Sequence, residues 1–497
     1  MIWKRCDWKI FLLLLLIAAG IIIINGTTTE VNLGDESHHY RFAQNIYNTG
    51  KRVAFDPLYE SGNPPGFFYN SPPLWHFGLA FLWKITGGQS QTVAQIYHTL
   101  FFILLVLLTS ALAKETVGGE GRWFPALIII TVPMVVSFST LFYMDIPMTA
   151  LATLSFYFVL KRRYIEAGVA SGLAYFTKLN AGFFFPGFLF LIFWNERKKF
   201  WPLWRDLTFF ILPTLIIYLI DANWRKLNIS GQVDTIGLAT VGHRISVVVT
   251  GIKLREYLTS YLTNPVDIVK YFGFVFLFLL FSHLFQFKRW NKKENIYWVP
   301  VISYFVFLLL FFGIVTDTRY IIPIVPFMVA MISQSLVSIE KRWRFIIIMV
   351  CLFQFATTSV YVHQKRKISP EIKEGFEYIR KNIPEKALIL YPEENLLVYG
   401  HRRIIWNAFR GFQSGKTGLG SLFWAKDDEE MNHVLKDNRV DHILIKKSRI
   451  YDDRKQHHFG GYPQSFIEKL SNIKGWVKIF ENHKLELWKK IEKKDLE

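Results

Sequence analysis

Asp35 and Glu36 stand side by side shortly after an apolar run, Phe11 to Ile24, near the start of the chain. A carboxylate can take the proton of an acceptor hydroxyl or amine when it comes within hydrogen-bond reach. The same pair can instead open a helix, with Asp35 capping a segment from Glu36 to Tyr47. A second acid, Asp145, lies in Phe142-Tyr143-Met144-Asp145-Ile146-Pro147, between two apolar stretches. There it either caps the helix that starts at Pro147 or adds a carboxylate to a site. Lys178, in Thr177-Lys178-Leu179-Asn180, is embedded between apolar segments. A lysine so placed must snorkel to an interface or meet an anionic partner, and a phosphate group would serve. Arg319-Tyr320 precedes Pro323 and Pro326. The arginine is either an interface anchor or a bidentate grip on a phosphate. The two prolines imply a distorted helix start, as at a cavity.

Three histidines, His38, His39 and His76, share the first loop with the acidic pair. A His/Asp/Glu group suits a divalent metal, but this spacing matches no ligand pattern, and polar surface histidines are the favoured reading. His457-His458 is read in the same way. The only cysteines, Cys6 and Cys351, lie in or beside apolar segments. Neither a disulfide framework nor a cysteine metal site follows from them. No Gly-rich nucleotide-binding loop is present.

The elements that must position these residues are membrane helices. Of 497 residues, 51% are hydrophobic and 17% aromatic, and mean hydropathy is +0.23, which excludes an ordinary soluble globular protein. The net charge is +19 and the pI about 9.6. Many of the Lys and Arg residues flank apolar runs, so the basic balance speaks of membrane topology and of anionic lipid or phosphate rather than nucleic acid. The chain is expected to be a polytopic α-helical membrane protein with about eleven transmembrane helices, each needing ~20 apolar residues, or fewer where the segment is short. They are placed at 8–25, 93–113, 123–141, 145–160, 165–178, 180–194, 206–222, 269–287, 296–315, 320–338 and 343–362. Segment 72–87 is apolar but short and reads as a surface or re-entrant helix.

Lys4-Arg5, Lys161-Arg162-Arg163, Arg197-Lys198-Lys199, Lys288-Arg289 and Lys341-Arg342 then fall on one side, which the positive-inside rule makes cytoplasmic. The opposite face receives the loop 26–92, the turn at Asp145, the loop 223–268 and the tail. Residues 1–362 are thus expected to form a transmembrane catalytic module, with the acids in its first outer loop. Residues 363–497 are expected to form a C-terminal extracytoplasmic α/β domain. In this tail, helical spacing over 370–383, 431–435 and 466–470 alternates with strand-like runs at 387–391 and 442–445. A hairpin over 476–488 turns at Asn482-His483.

Taken together, these motifs resemble the GT-C glycosyltransferases, in the branch of the dolichyl-phosphate-mannose protein mannosyltransferases and the aminoarabinose lipid A transferases. The resemblance is carried by Asp35-Glu36 with Tyr40, Ala43 and Gly50, and by Pro72-Pro73-Leu74. It is carried further by Asp145 with Pro147, by Gly172-Leu173-Ala174 with Thr177-Lys178, and by Arg319-Tyr320 before Pro323 and Pro326. It covers residues 1–362. It implies an enzyme that takes a sugar from a polyprenyl-phosphate donor and passes it to a lipid, glycan or protein acceptor on the outer face. Asp35 would be the base, with Glu36 assisting. Asp145 would shape the acceptor site or hold a divalent metal ion, no cofactor being otherwise required. Lys178, Arg319 and Tyr320 would bind the donor phosphate. Membrane lipids are partners, and a bacterial inner membrane is the expected location. No inserted sugar-binding domain of the eukaryotic protein mannosyltransferase type is evident. The rival class is a transporter or flippase for lipid-linked sugars. Two related halves would mark it, and the sequence shows no such repeat.

Overall fold

The computed structural model describes residues 3–31, 35–54, 56, 58–60, 72–117, 123–197, 200–229, 272–285, 295–312, 318–391, 393, 395–405, 427–451, 462–473 and 475–491. The part of the expected loop 223–268 beyond Ile229, and His457-His458, lie outside them. In chain order the helices are α1 (Trp3–Thr27), α2 (Asp35–Thr49), α3 (Leu74–Thr86), α4 (Gln91–Val117), α5 (Trp123–Thr131), α6 (Pro133–Thr140), α7 (Asp145–Leu160), α8 (Tyr164–Tyr175), α9 (Phe185–Glu196), α10 (Phe200–Ile229), α11 (Phe274–Phe285), α12 (Trp298–Phe312), α13 (Val325–Ser338), α14 (Lys341–Arg366), α15 (Pro370–Asn382), α16 (Asn395–Tyr399), α17 (Asp428–Asp437) and α18 (Gln464–Asn472). Two 3-10 segments, Leu179–Phe184 and Thr318–Ile324, lead directly into α9 and α13.

The chain divides into two compact units. One holds Met1–Thr28 with Ser71–Lys365, and the other holds Thr29–Asn70 with Arg366–Glu497. Of the loop 26–92, the part Thr29–Asn70 therefore groups with the tail, and the rest groups with the helices that flank it in sequence.

The first unit is a helical membrane body. Among the described residues, the exposed large hydrophobic side chains all belong to it, Val477 excepted. Along α10 alone they include Phe209, Leu212, Leu215, Ile216, Leu219 and Ile220. An apolar surface of that extent needs lipid to cover it. By length and composition, Gln91–Thr116, Phe200–Asn228 and Arg342–Asn382 are able to cross a membrane. The pair Pro133–Thr140 and Asp145–Leu160, bent by 115°, makes a fourth if taken as one broken span. Among the described residues, length and apolarity alone thus support three or four spans, and the expected count of eleven is not confirmed. The segment 123–141 is one reason: it breaks at Pro133, which has no N–H to donate back to the preceding turn. Gln354 on α14 donates its Nε2 to the Thr131 carbonyl beside this break, at 2.7 Å.

Small residues let α8 and α10 approach closely. A Cβ on Gly168 would collide with the Phe210 carbonyl oxygen, and one on Gly172 would press on Ile217. Thr214 donates to the Gly168 carbonyl at 2.9 Å across the same contact. Glycines four residues apart on one face are a familiar route to close packing where no hydrophobic force joins helices. This pairing fixes the end of α8, which carries the turn to Lys178.

The second unit is built on a six-stranded sheet of order β1-β3-β2-β4-β8-β7. The strands are β1 (Tyr59–Glu60), β2 (Leu388–Leu390), β3 (Arg403–Ile405), β4 (His442–Lys446), β7 (Trp476–Glu481) and β8 (Leu485–Lys490). A separate ribbon pairs β5 (Ile450–Tyr451) with β6 (Tyr462–Pro463). The pairs β1–β3, β2–β3 and β2–β4 are parallel, and β4–β8 and β7–β8 antiparallel. Ile372, Phe376 and Ile379 of α15, Met431 and Leu435 of α17, and Phe466 and Leu470 of α18 bury their apolar stripes in the core with Ile389, Ile404 and Ile443. Asn482 closes the β7–β8 hairpin: its Oδ1 accepts from the Lys484 and Leu485 N–H groups at 3.0 and 2.9 Å.

Candidate active site

Asp145 begins α7 after the turn at Leu141–Met144. The turn is held by the Tyr143 N–H donating to Leu141 O at 2.7 Å, and α7 by Thr149 Oγ1 donating to Asp145 O at 2.6 Å. Pro147 suits the first turn of α7 because its missing N–H would have had no partner there. Asp145 is fully buried. A buried carboxylate needs a partner, and it has one: Lys178 Nζ lies 2.7 Å from Oδ1.

Lys178 owes its position to the end of α8. Its N–H donates to Ala174 O at 3.0 Å, and its backbone then turns extended, with φ −155° and ψ 131°. The Leu74 N–H at the start of α3 donates to Phe176 O at 3.0 Å, pinning the same turn from the Pro72-Pro73-Leu74 motif. The Lys178 side chain is 19% exposed, so it is not sealed in the core as Asp145 is. Its Nζ also lies 5.0 Å from the centre of the Tyr320 ring. Arg319 shares that ring, with Cζ 5.3 Å from its centre and 5.1 Å from the centre of Tyr143. Cations at such distances are attracted to the aromatic quadrupole. Four sequence-selected residues, Asp145, Lys178, Arg319 and Tyr320, thus come from three separate parts of the chain into one cluster. It holds two cations, one carboxylate and an aromatic platform.

Three members were not foreseen. Tyr143 appears in the Asp145 motif, but nothing marked it as a stacking partner. Asn180 and Tyr304 lie next to the cluster: the Tyr304 hydroxyl is near Asn180 and within electrostatic range of Asp145 and Tyr320. Asn180 follows Lys178 by two residues, a weak signal. Tyr304 carries none, being one aromatic among many on α12.

The donor set at Asp145 is one carboxylate already paired with an ammonium, which does not fit a resident divalent metal. Among the described residues, no group of three or more His, Cys, Asp or Glu side chains is placed to hold a metal ion. No step is assigned to a metal here.

Asp35 and Glu36 belong to the other unit. Asp35 is exposed at the first residue of α2, and Glu36 beside it is fully buried. Arg366, also fully buried, grips Glu36 through Nη2–Oε1 at 2.5 Å and Nε–Oε2 at 3.4 Å, and donates Nη1 to Thr29 Oγ1 at 3.0 Å. Further ties hold the approach to α2: Val31 N–H to Tyr399 Oη at 2.5 Å and Ile368 N–H to Glu30 Oε2 at 2.8 Å. At the other end, Asp56 accepts from Arg41 Nε at 3.0 Å and Asn45 Nδ2 at 3.1 Å. Burial holds the His38 imidazole down to a pKa of about 4, against the opposing charges of Asp35 and Asp56. His38 is therefore neutral at pH 7.

Breaking a buried ion pair from one side leaves the other charge stranded. Arg366→Met is accordingly expected to destabilise this unit by about 3–5 kcal/mol. The check is the thermal unfolding midpoint of the purified protein, with Glu36→Gln added to Arg366→Met expected to recover much of the loss. A wild-type midpoint for Arg366→Met alone would contradict this role.

Residues 70–224, which include Asp145 and Lys178, match the family described as dolichyl-phosphate-mannose-protein mannosyltransferase. Among solved structures, ArnT from Cupriavidus metallidurans bound to undecaprenyl phosphate aligns with a TM-score of 0.66 at 10% identity, over 97% of this chain and 97% of that one. The oligosaccharyltransferase AglB from Archaeoglobus fulgidus, in complex with an inhibitory peptide and a dolichol-phosphate, aligns at 0.59 and 13% identity, over 89% and 70%. An Archaeoglobus fulgidus oligosaccharyltransferase structure with Zn and sulfate aligns at 0.57 and 14% identity, over 87% and 67%. A search of the curated proteins finds no match. Residues 70–224 thus match the dolichyl-phosphate-mannose-protein mannosyltransferase family, and over nearly its whole length the chain shares the fold of the ArnT structure.

Proposed function

We propose that this protein is a membrane glycosyltransferase that moves a sugar from a polyprenyl-phosphate donor to a hydroxyl or amine of a lipid, glycan or protein acceptor. The observation that carries the proposal is the cluster of Lys178 and Arg319 around Tyr320, with Asp145 fixing the ammonium. Half of it lies in the family-matched segment. Two cations on an aromatic platform in a membrane body suit a lipid phosphate, whose charge they offset. The lipid phosphates bound in the ArnT and AglB structures support the same class of donor.

In the proposed step the acceptor oxygen or nitrogen attacks the anomeric carbon as the bond from that carbon to the phosphate oxygen breaks. The bonding electrons leave with the polyprenyl phosphate, and the acceptor's proton passes to Asp35. The anomeric centre inverts, with no covalent intermediate. Asp35 is assigned the base from its sequence position after the first helix and its exposed carboxylate. Glu36, committed to Arg366, serves by holding the start of α2. The charge pattern of the loops supports transfer at the extracytoplasmic face with the C-terminal domain on that side. The composition favours a bacterial inner membrane.

The test is turnover in proteoliposomes supplied with a panel of radiolabelled polyprenyl-phosphate sugars and an acceptor extract. Label moving from the lipid to an acceptor, with sugar-free polyprenyl phosphate as co-product, is the expected result. Label that crosses the bilayer still attached to its lipid would identify a flippase and overturn the proposal.

A further inference from the structure

Behind Lys178 the cluster contains three polar groups that no ordinary packing role accounts for. Asp145 Oδ2, Asn180 Nδ2 and the Tyr304 hydroxyl are all buried, at 0%, 4% and 0% exposure for their residues. Asp145 Oδ2 has no hydrogen-bond partner among the described residues, and the Tyr304 hydroxyl and Asn180 Nδ2 have at most a loose contact with each other, short of good hydrogen-bond geometry. Buried polar atoms are nearly always paired, and those that are not mark strain, bound water or function. Here they sit together. The Tyr304 hydroxyl is near the Asn180 amide and within electrostatic range of Asp145. They come from three elements: the start of α7, the 3-10 segment Leu179–Phe184, and α12.

Their mutual placement is held rigidly. Ser303, the neighbour of Tyr304, donates to Phe183 O at 2.7 Å and accepts from the Gly187 N–H at 3.0 Å. The Tyr304 ring stacks on Phe184 with centroids 4.6 Å apart. Rigid placement beside a reactive cation is what a recognition site needs.

The chemistry of the three atoms selects the ligand. Oδ2 accepts, the amide donates, and the phenol does either. An anion is disfavoured by the Asp145 carboxylate, and a further cation by Lys178 on the same carboxylate. A neutral group that donates and accepts at adjacent positions fits, and vicinal hydroxyls have that character. We infer that Asn180, Tyr304 and Oδ2 of Asp145 form the subsite that recognises hydroxyl groups of the donor's sugar, next to the phosphate held at Lys178. The partly exposed Lys178 is the edge from which this subsite is reached. The inference rests on the polyprenyl-phosphate donor proposed above.

It is tested by binding alone. The probes are undecaprenyl phosphate with no sugar and the same lipid carrying mannose, glucose or arabinose, measured on the full-length protein in nanodiscs. Wild-type protein is expected to bind at least one sugar-bearing lipid about tenfold or more tightly than the bare lipid, since a site built to hydrogen-bond hydroxyls discriminates against a ligand without them. Tyr304→Phe and Asn180→Leu are each expected to remove most of that preference while leaving bare-lipid affinity within about twofold. Tyr304→Phe changes one hydroxyl and keeps the ring packing, so its folding is not in question. Retention of the full preference in both variants would overturn the subsite and leave a buried water as the partner of these groups. An equal loss for bare and sugar-bearing lipid would also overturn it, by assigning the residues to the phosphate or the fold. Lys178→Met keeps the two questions apart. If it leaves bare-lipid affinity unchanged, the donor reading itself fails, whatever the sugar preference shows.

Discussion

Lys178→Met is expected to lower donor turnover by about 10²–10³-fold, the scale seen when one preorganised group facing developing charge is removed. As the sugar departs, the phosphate diester becomes a monoester and gains negative charge. A cation beside it is worth more in the transition state than in the ground state, so the loss should fall mainly on kcat. The substitution has a second effect that must be separated. Lys178 is the partner of a fully buried carboxylate, 2.7 Å away, and removing it strands Asp145. A stranded buried charge is strongly destabilising. The double variant Lys178→Met with Asp145→Asn restores neutrality and is expected to regain stability without regaining turnover. Recovery of turnover in the double variant would show that Lys178 only neutralises Asp145. The measurement is initial rate alongside unfolding midpoint for the single and double variants.

Asp35→Asn is expected to cost about 10²–10⁴-fold in turnover, the usual contribution of a positioned general base. The amide keeps the shape of the carboxylate and cannot accept the acceptor's proton. Asp35 is exposed, so stability should change by no more than about 0.5 kcal/mol. Donor affinity should also be unchanged, because the phosphate contacts are assigned elsewhere. The neighbouring His38 is no substitute base, since a group with a pKa of about 4 binds a proton poorly at pH 7. Unchanged turnover of Asp35→Asn in proteoliposomes would remove Asp35 from the chemistry and leave it a helix start.

What the sequence shows and what it hides separates by range. The helices were legible because apolar runs and flanking charges are local signals. So were the C-terminal elements: helical spacing over 370–383 corresponds to α15, the run at 442–445 to β4, and the turn at Asn482 to the β7–β8 hairpin. Asp145, Lys178 and Arg319-Tyr320 were legible as charged residues in apolar surroundings, which membranes make costly. That Lys178 and Asp145 pair with each other was not legible, because either could equally have met a ligand. The joining of β1 to β3, with Tyr59 opposite Ile404 and Glu60 opposite Ile405, was hidden, as two residues of strand carry no periodicity. The grip of Arg366 on Glu36 spans 330 residues of chain, and no local pattern distinguishes it from one more basic residue at a helix end. That contact is why Glu36, adjacent to Asp35 in sequence, has a different task. Asn180 and Tyr304 were hidden for a related reason: their significance lies in their burial beside Asp145, which only packing reveals.

The central claim is that the phosphate of a lipid-linked sugar sits between Lys178 and Arg319. A structure of the protein in nanodiscs with a bound polyprenyl-phosphate sugar measures it directly. The expected result is phosphate density within about 3 Å of Lys178 Nζ and of the Arg319 guanidinium, the range of charge-assisted hydrogen bonds. A lipid phosphate bound elsewhere, with Lys178 and Arg319 contacting no part of it, would contradict the account.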